Sequence, residues 1–140
     1  MSLVEAHDLT EAQNILNYLN RCHDGSIKTI LFMKKREIDP KTGDLVYDAV
    51  NIKEMALCDI KIEMFLNSYE GAKKDQVVMF EFKRVKKFNF FQDVSIDYSD
   101  VYESTVANGV NSTLEFKFLS TGKKLPTLSI SCEKLVLTEK

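Results

Sequence analysis

A chain of 140 residues, 44% hydrophobic and 29% charged, has the composition of one globular domain, which excludes the disordered and collagen-like classes. It has no run of about 18 apolar residues and its N-terminal segment is polar and acidic, so neither a membrane-spanning helix nor a secretory signal is predicted. A net charge of -2 gives no overall attraction to nucleic acid or anionic membranes, and we expect a cytoplasmic protein.

The first predicted element is a helix over residues 8–21, preceded by a flexible segment at residues 1–7. Asp8, followed three residues later by Glu11, resembles a capping box, so the helix is expected to begin near Leu9. Apolar residues recur at helical spacing and form one face, which is expected to cover a sheet. These residues are Leu9, Ala12, Ile15, Leu16 and Leu19.

From Ile27 the apolar pattern has a period of two, which predicts an antiparallel β domain over residues 26–139. Within it, "DPKTG" predicts a hairpin turn, because Pro40 presets a turn and Gly43 can adopt a positive φ. The next strand has one wholly apolar face. Its members are Ala56, Cys58, Ile60, Ile62, Met64 and Leu66.

A further strand and a hairpin are predicted after this strand. The stretch "VVMFEFKRV" predicts a strand, while the following "KKFNFFQDVSIDYSDV" has no clean period and is interpreted as an irregular or short helical excursion. Asn108-Gly109 is the dipeptide of a tight two-residue hairpin turn. The strand after this turn is expected to point Leu114, Phe116 and Phe118 into the core.

The last strand changes its inward face along its length. The inward set shifts after Glu133-Lys134, which predicts a β-bulge at that point. The set consists of Leu128, Ile130 and Cys132 before the shift and Leu135 and Leu137 after it.

The predicted fold class is therefore α+β, mainly β, in a single domain over residues 1–140. One N-terminal helix precedes six or seven mostly antiparallel strands, which form a curved sheet, a sandwich or a barrel-like meander. Exposed edge strands in so small a β domain could also pair two copies into a homodimer.

The three cysteines, Cys22, Cys58 and Cys132, are an odd number with no C-x-x-C spacing. This pattern argues against a disulfide framework and a zinc knuckle. Each cysteine lies in or beside an apolar pattern, so we interpret all three as buried small hydrophobic residues. The sequence predicts no metal and no cofactor.

The segment "RCHDGSI" contains a His-Asp pair between the predicted helix and the first long strand. The other histidine is His7, so the nitrogen-rich ligand set of a metal site is missing. A catalytic arrangement of His23 and Asp24 with Cys22 or Ser26 remains open as an alternative. We favour a structural joint, in which Gly25 supplies a permissive φ and His23 bridges helix and sheet.

The segment "FEFKRVKKFNFF" interleaves four basic residues with five phenylalanines. Aromatic rings beside basic groups can hold single-stranded nucleic acid by stacking and phosphate neutralisation. The acidic net charge and the lack of a glycine-rich RNA-binding motif argue against that partner. Lysines on an edge strand, with the phenylalanines in the core, explain the same pattern.

The opposite charge pattern follows, because no Lys or Arg occurs between Phe88 and Phe116. On one surface, the acidic and tyrosine side chains of this block would form an acidic patch with aromatic anchors, suited to a basic protein partner. A solvated loop is the structural alternative. The candidate binding residues are Asp93, Asp97, Tyr98, Asp100, Tyr102 and Glu103.

Two motifs carry a resemblance to a known group of proteins. A helix followed by "HDGSI" opening a strand, and the closing "LSISCEKLVLTE", resemble the start and the final strand of small uncharacterised bacterial β-rich proteins. Some of these proteins are grouped with immunity proteins of polymorphic toxin systems. The resemblance covers residues 18–140 and implies a non-enzymatic domain that neutralises a cognate toxin. His23, Asp24, Cys132 and Glu133 match the motifs, and we expect them to act in folding.

The leading functional hypothesis is therefore a non-enzymatic protein-binding module, in its most specific form an immunity-like protein. One alternative is a carrier that holds a small apolar ligand between sheet and helix. The other is an enzyme centred on His23 and Asp24.

Overall fold

The computed structural model describes residues 3–34, 36–47, 57–67, 69, 76–92, 97, 99–120 and 126–139. Within these residues one α-helix, α1 (Leu9–Tyr18), is followed by a short 3-10 turn, Asn20–Cys22. The strands are β1 Leu3–Ala6, β2 Gly25–Met33, β3 Arg36–Ile38, β4 Leu45–Tyr47, β5 Cys58–Leu66, β6 Gln76–Val85, β7 Lys87–Phe90, β8 Asp100–Asn108, β9 Leu114–Ser120, β10 Pro126–Cys132 and β11 Lys134–Glu139.

Nine of these strands form one antiparallel sheet in the order β1-β11-β6-β5-β2-β8-β9-β10-β7, and β3 pairs with β4 separately. The predicted class, α+β and mainly β, is confirmed. The predicted number of six or seven strands is wrong, because β1 and β7 were not predicted and two predicted strands are each divided. The arm before the "DPKTG" turn is divided into β2 and β3, and the last predicted strand is divided into β10 and β11. Short strands are stabilised by neighbours that are distant in sequence, and they leave little local pattern.

Two continuous segments of the chain each contribute a strand near both ends of the sheet. Strand β6 leads into β7 through Lys86, and β10 leads into β11 through Glu133. The Lys86 N–H donates to the Ser131 carbonyl oxygen (2.8 Å), and the Glu133 N–H donates to the Lys83 carbonyl oxygen (3.1 Å). The pairing of the two segments is therefore continuous, and the sheet is curved around one core.

The predicted bulge near Glu133 is confirmed by the burial pattern. Cys132 and Leu135 are consecutive buried side chains, and two residues lie between them instead of the single residue of a regular strand. The facing strand β6 has the same irregularity, because two residues also lie between its buried side chains Phe82 and Val85. One of these two residues, Arg84, has a φ of 53°. Glu133 accepts a hydrogen bond from Arg84 Nε at 2.7 Å. Glu133 therefore links the two bulges.

The core consists of inward side chains from β5, β6, β9, β10 and β11, with the buried face of α1 beside them. The rings of Phe82 on β6 and Phe116 on β9 meet edge to face, with their centroids 5.1 Å apart. The described part of the predicted apolar face of β5 is largely confirmed, whereas Ala56 lies outside the described residues. The fully or almost fully buried members are Ile60, Ile62, Met64 and Leu66 on β5 and Leu114, Phe116 and Phe118 on β9.

Helix α1 begins as predicted but ends early. Asp8 Oδ1 accepts the Glu11 N–H at 2.8 Å, while Glu11 Oε1 accepts the N–H of His7 (3.0 Å) rather than that of Asp8. The helix stops at Tyr18 instead of residue 21, because residues 20–22 have left-handed φ values of 53–58°.

The segment 1–7, predicted to be flexible, contains strand β1 in its described part. Leu3 and Ala6 pair with Thr138 and Leu135 of β11, and Ala6 is fully buried. The prediction of flexibility is wrong over these residues. The edge of β11, at the other end of the chain, provides the hydrogen-bonding partners of β1.

Two turn predictions have different outcomes. Gly43 has a φ of +76°, as predicted, and its N–H donates to the Asp39 carbonyl oxygen at 2.8 Å. The hairpin at Asn108-Gly109 exists, but its loop covers residues 109–113 and its left-handed residues are Asn111 and Ser112. The pairing of β8 with β9 ends at Asn108↔Leu114, so the register leaves five loop residues and excludes a two-residue turn.

The stretch predicted as an irregular excursion begins with β7. Leu128 and Ile130 of β10 pair with Phe90 and Phe88, so the excursion is wrong for these residues. The pairing extends the β6–β11 ladder, which a local period could not reveal because β7 has only four residues.

Candidate functional site

The segment between α1 and β2 forms a joint with an unusual backbone. Asn20, Arg21, Cys22 and Asp24 all have left-handed φ values of 53–58°. Outside glycine this conformation costs about 1–2 kcal/mol per residue, least for Asn and Asp, so surrounding contacts must stabilise it. The chain thereby reverses within a few residues and enters β2 at Gly25.

Gly25 has a different role from the predicted one, because its φ is not left-handed and Asp24 adopts that conformation instead. Gly25 is buried. A Cβ there would lie 2.7 Å from Leu66 Cδ2 and 2.9 Å from the Cys22 carbonyl oxygen. Glycine is needed because the backbone of the joint lies against the core.

His23 bridges the joint to the sheet, as the sequence predicted. Its Nδ1 lies 2.8 Å from the Tyr102 carbonyl oxygen, and since a carbonyl only accepts, Nδ1 is the donor. Its Nε2 lies 3.4 Å from Asp24 Oδ2, and its ring meets the Tyr102 ring edge to face at 5.3 Å. His23 thus connects the joint to β8.

Strands β2 and β8 are paired over two residues only, at Gly25↔Val101 and Ser26↔Asp100. The Ile27 N–H also donates to the Ser99 carbonyl oxygen at 2.7 Å. This short contact brings the joint and the acidic block together, although about 70 residues separate them in the chain.

We name this region the acidic aromatic surface and define it as His23, Asp24, Asp97, Asp100, Tyr102 and Glu103. Tyr102 has 46% of its surface exposed, and Asp24, Asp97 and Asp100 are exposed as well. Asp97 Oδ1 accepts hydrogen bonds from the Ser99 hydroxyl (2.7 Å) and N–H (2.9 Å), which lower the pKa of Asp97. The other two predicted members, Asp93 and Tyr98, lie outside the described residues.

Glu103 contributes less negative charge than the sequence suggested. Arg21 Nη1 lies 3.0 Å from Glu103 Oε1, so the joint supplies a cation that neutralises this carboxylate. The acidic character of the surface therefore depends mainly on Asp24, Asp97 and Asp100.

A cleft of about 350 Å³ lies next to this surface, between α1 and β8. Its helix side presents residues at i, i+3 and i+4, and its strand side presents three consecutive residues of β8. The lining consists of Gln13, Leu16, Asn17, Arg21, Ser104, Thr105 and Val106. Most of these side chains are polar, so this cleft does not favour the small apolar ligand of the carrier alternative.

Burial raises the pKa of Cys22 and Cys132 to about 12, so both remain protonated thiols at neutral pH. Cys22 and Cys132 are the buried hydrophobic residues predicted, whereas Cys58 is only partly buried. Only a thiolate is a strong nucleophile, so Cys22 is poorly suited to assist His23 in catalysis.

This difference in burial predicts the order of thiol labelling. In the folded protein at about pH 8, iodoacetamide should modify Cys58 at least about tenfold faster than Cys22 or Cys132. Peptide mass spectrometry checks this result, and unfolding in urea should make all three react. Labelling of Cys22 as fast as Cys58 in the folded state would contradict the buried joint.

Among the described residues, no group of three or more His, Cys, Asp or Glu side chains is arranged to hold a metal ion. His7 lies outside the joint, and its Nε2 is 3.2 Å from Glu5 Oε2. The described part of the chain also contains no helix that is both long and apolar enough to cross a membrane.

The basic aromatic segment is divided between core and surface. Phe80 and Phe82 are buried, but Phe88, Phe90 and Phe91 are 44–50% exposed, so the prediction that all these rings lie in the core is wrong. Lys87 and Asn89 alternate with the rings along β7 and point to the other face. A single nucleic acid strand would not contact rings and lysines on opposite faces of one strand.

A polar cluster around Glu139 was not predicted from the sequence. Glu139 lies 3.0 Å from the Tyr18 hydroxyl and 2.7 Å from the Tyr69 hydroxyl, which is also 2.7 Å from Gln76 Oε1. The cluster joins α1 to the last strand. No local pattern identifies it, because Tyr18 and Glu139 are separated by most of the chain.

Comparison with known proteins gives no further assignment, because no family model, curated protein or solved structure matches this chain.

Proposed function

We propose that this protein is a non-enzymatic, cytoplasmic binding module that recognises a basic segment of another protein through the acidic aromatic surface. The resemblance stated above suggests a more specific form, in which the partner is a toxin and the protein acts as its immunity factor.

The observation that supports this proposal is the exposed ring of Tyr102 on β8, which has exposed carboxylates near it in the chain and in the joint. These carboxylates are Asp24 in the joint and Asp97 and Asp100 just before Tyr102. Tyrosine is enriched at the energetic centres of protein interfaces, because its ring buries apolar area and its hydroxyl forms hydrogen bonds. Asp24 and Asp100 belong to elements held by the two paired residues of β2 and β8, so their charges are held close to the ring.

Electrostatic complementarity then explains both a fast rate of association and the preference for a basic partner. Carboxylates around a central aromatic residue attract a basic segment during diffusion and disfavour acidic partners. His23 supports the ring of Tyr102 by an edge-to-face contact and also binds the Tyr102 backbone, so the anchor is preorganised.

A capture experiment with matched charge variants tests this proposal. Tagged protein in a lysate of the source organism should enrich a basic protein, and the double variant Asp24→Asn, Asp100→Asn should reduce its capture about tenfold. Asn tolerates the left-handed φ of Asp24, so the fold should be retained.

The control changes the same number of charges on the β3–β4 hairpin, by Asp39→Asn and Asp44→Asn. Asn at position 39 can still accept the Lys41 N–H that Asp39 Oδ1 now accepts at 2.8 Å. Capture should be unchanged in this control. Equal losses in both variants, or an acidic captured protein, would contradict the proposal.

A carrier of apolar ligands is the second candidate, favoured by a different observation. The rings of Phe32 and Phe88 lie 4.9 Å apart, and both are more than two-fifths exposed. Phe32 pairs with buried Ile60 and Phe88 with buried Ile130, so these rings extend the core face to the surface. Mass spectrometry of denatured, freshly purified protein would detect a bound small molecule, and repeated absence of one would exclude this candidate.

A further inference from the structure

The two ring nitrogens of His23 face different partners. Nδ1 donates its proton to the Tyr102 carbonyl oxygen at 2.8 Å, so the neutral ring carries no proton on Nε2. Nε2 lies 3.4 Å from Asp24 Oδ2. In the neutral ring both of these atoms are hydrogen-bond acceptors, and neither can donate to the other. This side of the ring can bond to the carboxylate only after it takes up a second proton.

A proton on Nε2 would convert this contact into an ion pair. An imidazolium ring donates from both nitrogens, and a hydrogen bond between a charged donor and a carboxylate is about twice as strong as one between neutral groups. Histidine is the side chain that ordinarily changes its charge between pH 5 and 8. The side chains of His23 and Asp24 are 46% and 62% exposed, so solvent can deliver the proton without any opening of the fold.

The added positive charge would lie within the acidic aromatic surface. The ring of His23 meets the ring of Tyr102 edge to face at 5.3 Å, so the charge would lie beside the aromatic anchor. It would also offset the charge of Asp24, one of the three carboxylates on which the acidic character of the surface depends. The charged groups on the described elements that contact His23 are Asp24 and Arg21 in the joint and Asp100 and Glu103 on β8, with Arg21 and Glu103 paired to each other at 3.0 Å.

We propose that His23 makes the binding of the basic partner sensitive to pH, an inference that rests on the function proposed above. While the ring is neutral, the carboxylate of Asp24 is available to a lysine or arginine of the partner. Once Nε2 is protonated, the ring pairs with that carboxylate and repels the incoming cation. The partner is therefore held at neutral pH and released as the pH falls.

A basic peptide titrated at two pH values tests this inference. The probe is an acetylated and amidated peptide of about eight residues that alternates lysine and serine, added to ¹⁵N-labelled protein at low ionic strength. The two conditions are about pH 7.5 and about pH 5.5, between which aspartate and lysine side chains ordinarily keep their charges.

The chain has two histidines, which provide a matched pair of variants. Asn in His23→Asn can still donate to the Tyr102 carbonyl oxygen but takes up no proton. His7→Asn is the control, because His7 Nε2 also lies beside a carboxylate, 3.2 Å from Glu5 Oε2, but outside the joint. Thermal unfolding at both pH values checks that each variant is folded.

The wild type and His7→Asn should bind the peptide about fivefold more weakly at the lower pH, whereas His23→Asn should change by less than about twofold. Wild-type binding that does not depend on pH, or an equal dependence in His23→Asn, would overturn the pH sensitivity and leave the proposed function intact. Failure of the wild type to bind the peptide at pH 7.5 would instead contradict the proposed function, and the pH sensitivity with it.

A second measurement uses the wild type alone and decides the question if His23→Asn does not fold. Binding and proton uptake are reciprocally linked, so the bound peptide should lower the pH midpoint at which the ring signals of His23 titrate. The midpoint for His7 should stay the same. An unchanged midpoint for His23, or equal changes for both histidines, would overturn the inference.

Discussion

Replacement of Glu139 by alanine is expected to lower the free energy of unfolding by about 3 kcal/mol. Glu139 is buried and lies within hydrogen-bonding distance of the hydroxyls of Tyr18 and Tyr69. Alanine would leave two tyrosine hydroxyls without this acceptor and would release α1 from β11. Urea denaturation of the wild type and the variant measures the difference.

Two controls separate the cluster from a general effect of removing a carboxylate. Glu139→Gln retains one acceptor oxygen and should cost about 1 kcal/mol. Glu5→Ala removes an exposed carboxylate whose oxygen lies 3.7 Å from Lys134 Nζ, and such surface pairs contribute about 0–1 kcal/mol. If Glu139→Ala were no more destabilising than Glu5→Ala, the cluster would not hold the helix to the sheet.

The same cluster predicts a change in stability at alkaline pH. Burial and the hydrogen bond to Glu139 raise the pKa of Tyr69 above its ordinary value of 10. The folded state therefore retains the hydroxyl proton where the unfolded state loses it. The contribution of Tyr69 should be complete below pH 10 and should decline as the pH rises towards the raised value. Comparison of the wild type with Tyr69→Phe over this range measures it, since Phe has no proton to lose.

Replacement of Gly25 by alanine is expected to destabilise the fold by about 2–3 kcal/mol. The added Cβ would meet Leu66 Cδ2 at 2.7 Å and the Cys22 carbonyl oxygen at 2.9 Å. Leu66 can rotate, but the carbonyl belongs to the left-handed backbone of the joint and cannot move without displacing His23 and Asp24. We therefore expect the variant also to lose partner capture.

Gly43→Ala provides the matched control for this substitution. Gly43 has a φ of +76° and nothing within 4 Å of an added Cβ, so alanine there incurs only the conformational cost of about 1 kcal/mol. Thermal and urea unfolding of the two variants should differ accordingly. A Gly25→Ala variant that is no less stable than Gly43→Ala would show that the joint can adjust to the added methyl group.

Only part of the candidate site could be recognised in the sequence. The acidic block stood out because 27 consecutive residues, 89–115, contain no Lys or Arg. Its relation to His23 and Asp24 did not, because the two stretches meet through pairing of β2 with β8 at two positions. The neutralisation of Glu103 by Arg21 follows from the same contact and has no counterpart in the local sequence.

The sequence by itself determined the fold class and the inward faces of the long strands. Alternation on β5 and β9 predicted buried Ile62 and Phe116, and the shift after Cys132 predicted the bulge. These features follow from a period of two, which depends on each strand's own residues and on the burial of one face.

Only the tertiary structure decided the pairing of β1 with β11, the strand β7, and the left-handed joint at residues 20–24. Each depends on contacts between residues far apart in the chain. Strands as short as β1 and β7 need a neighbour's edge to satisfy their backbone groups. The left-handed residues incur a local cost that contacts such as Ser104 with the Arg21 carbonyl oxygen (2.9 Å) must offset, and no local pattern carries that information.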